Sequence, residues 1–269
     1  MTLHSSISKA CEQKQMLKVI IGIDNFNVSN VMHKVKAAHV GGATYIDISA
    51  NLQIIDEVKA VVPSLPVCVS SIDIDELVSC YDAGADMLEL GNFDIFYDRG
   101  ISFSPQQILD LASKLLIRIP DASICATIPH KLSLVQQIDL AKTLESIGVD
   151  MIQTEGISSK YKICDKLSNS IKRSSASLCS TAVLSTYLTI PIVCSSGINS
   201  LSAPLAMLYG ASGIGVGSFF DHFDRTLFLS HEIARIMKSI EHSCNIDNSI
   251  GSSYFKLDSP YLHTSNVIN

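Results

Sequence analysis

Eight short apolar runs, separated by amphipathic stretches, recur along the chain between residues 18 and 220. They are Val19–Ile23, Thr44–Ile48, Val67–Ser70, Met87–Leu90, Ile124–Ile128, Met151–Thr154, Pro191–Ser195 and Gly213–Val216. Runs of this length, apolar on both alternating faces, fit parallel strands covered on each side. The intervening segments carry helix signals. Asp73 with Glu76 three residues on is a capping-box pattern, and Ile74, Leu77, Val78 and Tyr81 follow as one apolar face. Ser104-Pro105-Gln106-Gln107 places a cap, a first-turn proline and a returning glutamine in order. Leu134, Ile138, Ala141 and Leu144 repeat the helical spacing.

A turn repeats ahead of alternate strands. It reads Gly41-Gly42-Ala43, Gly84-Ala85-Asp86, Gly148-Val149-Asp150 and Gly210-Ala211-Ser212. Glycine there supplies the left-handed residue that ends a helix, and a small residue lets the chain enter a barrel. Four copies favour a closed array over an open doubly wound sheet, the competing architecture. The expected fold is α/β, a single (β/α)8 TIM barrel over residues 18–243, with an N-terminal extension (1–17) and a polar, poorly ordered tail (244–269). The length of 269 residues, 47% hydrophobic, suits one such barrel.

Composition narrows the partners. Only 17% of residues are charged and the net charge is −6, which argues against nucleic acid. No apolar run reaches membrane-spanning length, and residues 1–15 lack a signal-peptide core. The eight cysteines are scattered without a C-x-x-C pair, so a reducing compartment is expected, with neither a disulfide framework nor a metal site. A homo-oligomer is left open.

The rule that barrel sites form at the C-terminal strand ends turns the strand pattern into a set of candidates. Ser196 and Gly197 after strand seven, with Gly215, Gly217 and Ser218 at strand eight, suit a phosphate grip of converging backbone amides. The bland alternative is that these glycines only make tight turns. Glu155, His130, Asp47 and Glu89 are the candidates for proton transfer. Asp47 and Glu89 read equally well as buried polar groups bonded to neighbouring strands. Asn25, Asn92 and Gln153 are expected to orient a substrate, and Gln153 and Glu155 share one face of their strand. Asp73 reads as a helix cap, and Phe93, Phe96 and Tyr97 as packing over the rim. The polar segment 156–175 reads either as a lid or, through Tyr161, Ile163 and Leu167, as a short helix. No lysine is evident at the end of a central strand, which disfavours imine chemistry.

Several strings are specific. Gly41-Gly42-Ala43-Thr44-Tyr45-Ile46-Asp47-Ile48, Pro66-Val67-Cys68-Val69-Ser70-Ser71-Ile72-Asp73, Glu89-Leu90-Gly91-Asn92-Phe93-Asp94, Ile152-Gln153-Thr154-Glu155-Gly156 and Ser196-Gly197-Ile198-Asn199-Ser200 resemble the hypothetical chloroplast reading-frame family numbered twenty-three. That family occurs in algal plastid genomes and cyanobacteria. The resemblance covers residues 18 to 220 and implies an aldolase-type barrel in a plastid stroma, or in the cytoplasm of a cyanobacterium. It carries no established activity. More distantly, the Ser-Gly-Ile and Gly-Val-Gly-Ser pair is similar to the phosphate grip of flavin-dependent and sugar-phosphate barrels. The expected ligand is therefore a small phosphorylated molecule, which includes FMN.

Overall fold

The computed structural model describes residues 3–91, 93–97, 99–156 and 166–249. The strands are β1 (Met16–Gly22), β2 (Tyr45–Ser49), β3 (Val67–Ser71), β4 (Met87–Leu90), β5 (Ile124–Ile128), β6 (Met151–Thr154), β7 (Ile192–Ser195) and β8 (Gly213–Val216). Each pairs in parallel with the next, and β8 returns to β1, so the sheet closes into a barrel. Helix α1 (Ser5–Glu12) precedes β1; α2 (Val28–Gly41), α3 (Leu52–Val61) and α4 (Ile74–Asp82) follow the first three strands. A short α5 (Asp94–Tyr97) and α6 (Pro105–Arg118) follow β4, then α7 (Leu134–Ile147), α8 (Lys166–Leu184) and α9 (Ala203–Leu208). A 3-10 turn (Ser218–His222) and α10 (Thr226–Ser249) are the last described elements. Among the described residues no helix is long and apolar enough to cross a membrane.

The repeated glycine turn has a second component. Gly42, Gly84, Gly148 and Gly210 all take positive φ, between 81° and 107°. Two residues after each stands a polar side chain that accepts the first or second amide of the preceding strand. Leu17 N–H donates to Thr44 Oγ1, Val67 N–H to Asp86 Oδ2, Ile124 N–H to Asp150 Oδ2 and Ile192 N–H to Ser212 Oγ. Every even-numbered strand thus caps its odd-numbered predecessor, which satisfies a backbone donor that would otherwise lie exposed at the barrel's lower rim. The predicted caps form as well. Asp73 accepts from Asp75 and Glu76, and Ser104 with Gln107 closes a full capping box behind Pro105.

Outward-facing strand residues such as Leu17, Val19, Ile46, Val69, Leu88 and Ile152 join the helices in one apolar shell. Inside, the lowest layer is apolar: Met16, Tyr45, Cys68, Met87, Cys125, Met151 and Val193, sealed from below by Ile7 and Cys11 of α1. On β8 the inward positions are glycines. A Cβ at Gly213 would meet Met16 at 2.3 Å, and one at Gly215 would meet Ser195 Oγ at 2.8 Å and Ile20 at 3.1 Å. The bare face of β8 is what leaves room for the β1 side chains beside it.

One expectation shifts and another is settled. β1 starts at Met16, three residues ahead of the run marked in the sequence; the charged Lys18 interrupts the apolar pattern there and hides the strand's beginning. Of the two readings of 156–175, the helix holds from Lys166, Leu167 included, as the first part of a 19-residue helix. Its buried face is built from Ser174, Ser177, Ser180 and Thr181 with Leu178 and Leu184, so the low hydrophobicity that suggested a loop reflects close packing of small polar side chains. Thr154 bonds to Ser177 and Thr181, and Ser177 to Cys194, which satisfies that face. Residues 157–165, part of the segment read as a lid, and the tail beyond 249 lie outside the described residues.

Candidate functional site

Above the apolar floor the next inward layer is polar throughout. It consists of Lys18, Asp47, Ser70, Glu89, Thr127, Gln153 and Ser195, with Gly215 on β8. Barrel interiors of this class are usually filled by branched apolar residues, so a complete polar layer marks something other than packing. Lys18 is fully buried and is its centre. Its ammonium is 3.0 Å from Asp47 Oδ2, donates to Gln153 Oε1 at 2.9 Å, and pairs with Glu89 Oε2. That accounts for all three of its protons. Glu89 Oε1 accepts from Thr127 Oγ1 at 2.9 Å and Gln153 Nε2 at 2.7 Å. Asp47 Oδ1 accepts from Ser70 Oγ at 2.5 Å.

The electrostatics follow from burial and charge. Burial alone would drive the Lys18 pKa down, but Asp47 and Glu89 outweigh it and hold the ammonium protonated well above its usual range. The Glu89 pKa is raised as well: burial pushes it up, Lys18 opposes, and Asp47 adds to the rise. Lys18 is therefore an interior lysine that the sequence pattern concealed, and it is a saturated ammonium, not a nucleophile. Imine chemistry stays disfavoured for this reason, rather than for the lack of a lysine.

One inward position higher lies the mouth. Glu155 follows Gln153 on the same face, about 6.6 Å further along the strand direction. Its side chain is 4% exposed. Its Oε2 receives the Tyr97 hydroxyl at 2.8 Å, the His130 backbone N–H at 3.1 Å and His130 Nδ1 at 2.9 Å. Its Oε1 is buried with no hydrogen-bond partner. Tyr97 and His130 meet edge to face, 5.4 Å between centroids, and the Lys131 ammonium lies 3.9 Å over the tyrosine ring. An Nδ1–H donated to Glu155 leaves His130 Nε2 as the imidazole's acceptor. Gly91 matters here too: a Cβ on it would lie 2.2 Å from Thr127 Oγ1 and 2.8 Å from Glu89 Oε1, so β4 contributes no side chain above the polar layer.

The candidates separate by level. Glu155 and His130 meet in the mouth, while Asp47, Glu89 and Gln153 interlock beneath it. Asn25 sits at the β1 end, its side chain bonded to Asn30 and to the backbone N–H of Asn27. Asn92 lies outside the described residues. Among the described residues no acceptor takes the backbone N–H of Ser196, Gly197, Gly217 or Ser218. Ser196 and Gly197 both have positive φ, 71° and 73°. A Cβ on Gly197 would strike Arg173 Cβ at 2.5 Å and the α8 backbone at 2.6 Å, so close approach by the helix already requires glycine there. Tyr97 packs against the core, as expected of a rim aromatic, and its hydroxyl also joins the Glu155 cluster, which nothing in its local sequence announces.

The model of a family described as a protein of unknown function (DUF561) matches residues 3–246. The chain belongs to that family. Among its relatives is the uncharacterized protein ycf23 of Pyropia yezoensis, 38% identical over 256 residues, covering 95% of this chain and 93% of the relative. The protein of the same name from Cyanophora paradoxa is 36% identical over 242 residues, covering 90% and 99%. Solved structures share the DUF561 chain's fold at low identity. The thiamine phosphate pyrophosphorylase of Pyrococcus furiosus has a TM-score of 0.58 at 18% identity, covering 86% of this chain and 98% of its own. The 3-hexulose-6-phosphate synthase of Salmonella typhimurium gives 0.62 at 15%, covering 85% and 99%. An aldolase, QR15, gives 0.57 at 14%, covering 88% and 97%. The fold is an aldolase-type TIM barrel.

Proposed function

We propose that the mouth binds a small phosphorylated molecule and that the Glu155–His130 pair moves a proton on it. One observation carries the reading: a buried carboxylate with one oxygen loaded by three donors and the other left unpartnered, at the inner end of a barrel strand. A buried polar atom without a partner is costly and rare in a protein at rest. A ligand group would remove that cost, and Glu155 would hold His130 with Nε2 available to accept a proton. The free amides of Ser196, Gly197, Gly217 and Ser218, with Gly215 leading into the second loop, would receive the phosphate. Two fold neighbours whose names include phosphate, the pyrophosphorylase and the synthase above, support this choice of ligand class. Asp47, Glu89 and Gln153 would act from below, through the field of the Lys18 layer, and Asn25 from the rim.

FMN is one member of this class, since its phosphate would use the same grip; flavin-binding protein would be yellow, and a colourless preparation that takes up no added FMN removes it. Binding without turnover is the second reading, favoured by the saturation of every group around Lys18. The relatives' chloroplast reading-frame name supports a plastid stroma, or a cyanobacterial cytoplasm, as the compartment. Exposed apolar side chains on the outer helices, Ile117, Val135 and Leu227 among them, support a homo-oligomer.

The test has two parts. Inorganic phosphate should shift the amide NMR signals of Gly197 and Gly217 in the intact protein. Native mass spectrometry of fresh protein should then identify the natural ligand, on which Glu155→Gln lowers turnover by about a hundredfold or more while leaving affinity for phosphate intact. Amide signals indifferent to phosphate refute the reading.

A further inference from the structure

The mouth carries donors and acceptors side by side. The β7 and β8 loops present unused backbone donors, and Arg173 of α8 packs directly against Gly197. At the end of the adjoining strand β6 stands Glu155, with its orphaned Oε1, and the next residue, Gly156, lies against Ser196 and Arg173. Beneath it the polar layer does not balance: one ammonium, Lys18, faces two carboxylates, Asp47 and Glu89. The hydrogen bonds around Glu89 are those of an ionised carboxylate, since both oxygens receive donors from Lys18, Thr127 and Gln153. Counting Glu155, three carboxylates share the interior with one lysine. A proton on His130 would narrow this excess without cancelling it. Lys131 lies over the Tyr97 ring and is solvent-exposed, and Arg173 stands with the glycine loops, where the phosphate is placed.

An empty acceptor in a field of excess negative charge selects a donor, and among donors it selects a positive one. A neutral hydroxyl can fill the hydrogen-bonding vacancy at Oε1. A cationic N–H fills it and offsets the charge, and such charge-assisted bonds are roughly twice as strong as neutral ones. We propose that the molecule taken by this mouth carries an amine or protonated ring nitrogen that donates to Glu155 Oε1, so that the ligand is a phosphorylated nitrogen base. The inference rests on the reading of the mouth as a phosphate site and adds the identity of the ligand's other end. Its phosphate lies toward Arg173 and the glycine loops, and its nitrogen toward β6.

The test compares 2-aminoethyl phosphate with 2-hydroxyethyl phosphate on the full chain by calorimetry, with inorganic phosphate as the reference. The amine should bind about tenfold or more tightly than the alcohol. Glu155→Gln should erase that preference and leave the affinity for inorganic phosphate unchanged. Equal binding of the two probes, or a preference that survives in Glu155→Gln, overturns the inference while the phosphate reading stands. Failure of all three probes to bind overturns both. Should Glu155→Gln not fold, the wild-type comparison decides by itself: parity between amine and alcohol is fatal, and tenfold discrimination upholds the assignment.

Discussion

Replacing Lys18 by methionine keeps an unbranched side chain one atom shorter and removes its charge. The substitution leaves Asp47 and Glu89 facing one another across a sealed layer, with Lys18 and Glu89 fully buried and Asp47 almost so. Three interactions disappear together: the ion pairs to both carboxylates and the bond to Gln153 Oε1. Breaking a buried pair by removing one partner costs about 3–5 kcal/mol, because the surviving charge is uncompensated. For a domain of this size each kcal/mol lowers the melting temperature by about 2–4 °C, so the variant should melt about 6–20 °C below wild type. The pH dependence gives a second signature. Glu89 already has a folded pKa above its ordinary 4.5, and losing Lys18 raises it further. A carboxylate with a raised folded pKa binds more protons in the native state, so stability falls as pH climbs from about 4.5 through that folded value. Lys18→Met should therefore be least damaging in mild acid and most damaging at neutral pH, and adding Glu89→Gln should recover part of the loss. Urea titrations at several pH values measure this directly. A variant within about 1 kcal/mol of wild type at every pH between about 5 and 8 would refute the claim that this layer is dry and charge-coupled.

Further substitutions probe other parts of the argument. Gly91→Ala places a methyl 2.2 Å from Thr127 Oγ1 and should cost about 1–3 kcal/mol by overpacking, read from the urea midpoint; a neutral result would mean the polar layer is loosely held. Ile7→Ala removes a fully buried side chain from the seal beneath the barrel and should cost about 2–5 kcal/mol, with little effect on phosphate binding at the opposite end.

Local rules exposed much of this architecture to inspection of the sequence. The glycine turns, the Asp73 cap and the Ser104 box depend on neighbours within four residues, and each forms as its spacing dictates. All eight strands overlap the apolar runs that mark them, β1 alone beginning well ahead of its run. What stayed hidden depends on contacts between distant segments. Lys18 reads as a break in a hydrophobic run until the barrel closes and brings Asp47 and Glu89 to it, from 29 and 71 residues away. Glu155 and His130 were recognisable singly as polar strand ends, yet their meeting on one oxygen, with Tyr97 from helix α5, is a product of curvature. Helix α8 is undecided in the sequence for a different reason. Its buried serines follow a helical period, but a pattern written in hydroxyls carries little hydrophobic contrast.

Helix α1 closes the lower opening of the barrel with Ile7 and Cys11, against the first inward residue of nearly every strand. The interior is therefore a blind-ended well. Water, protons and any guest must enter and leave through the rim where Glu155 stands, and a charge buried at Lys18 has no back door by which solvent can reach it.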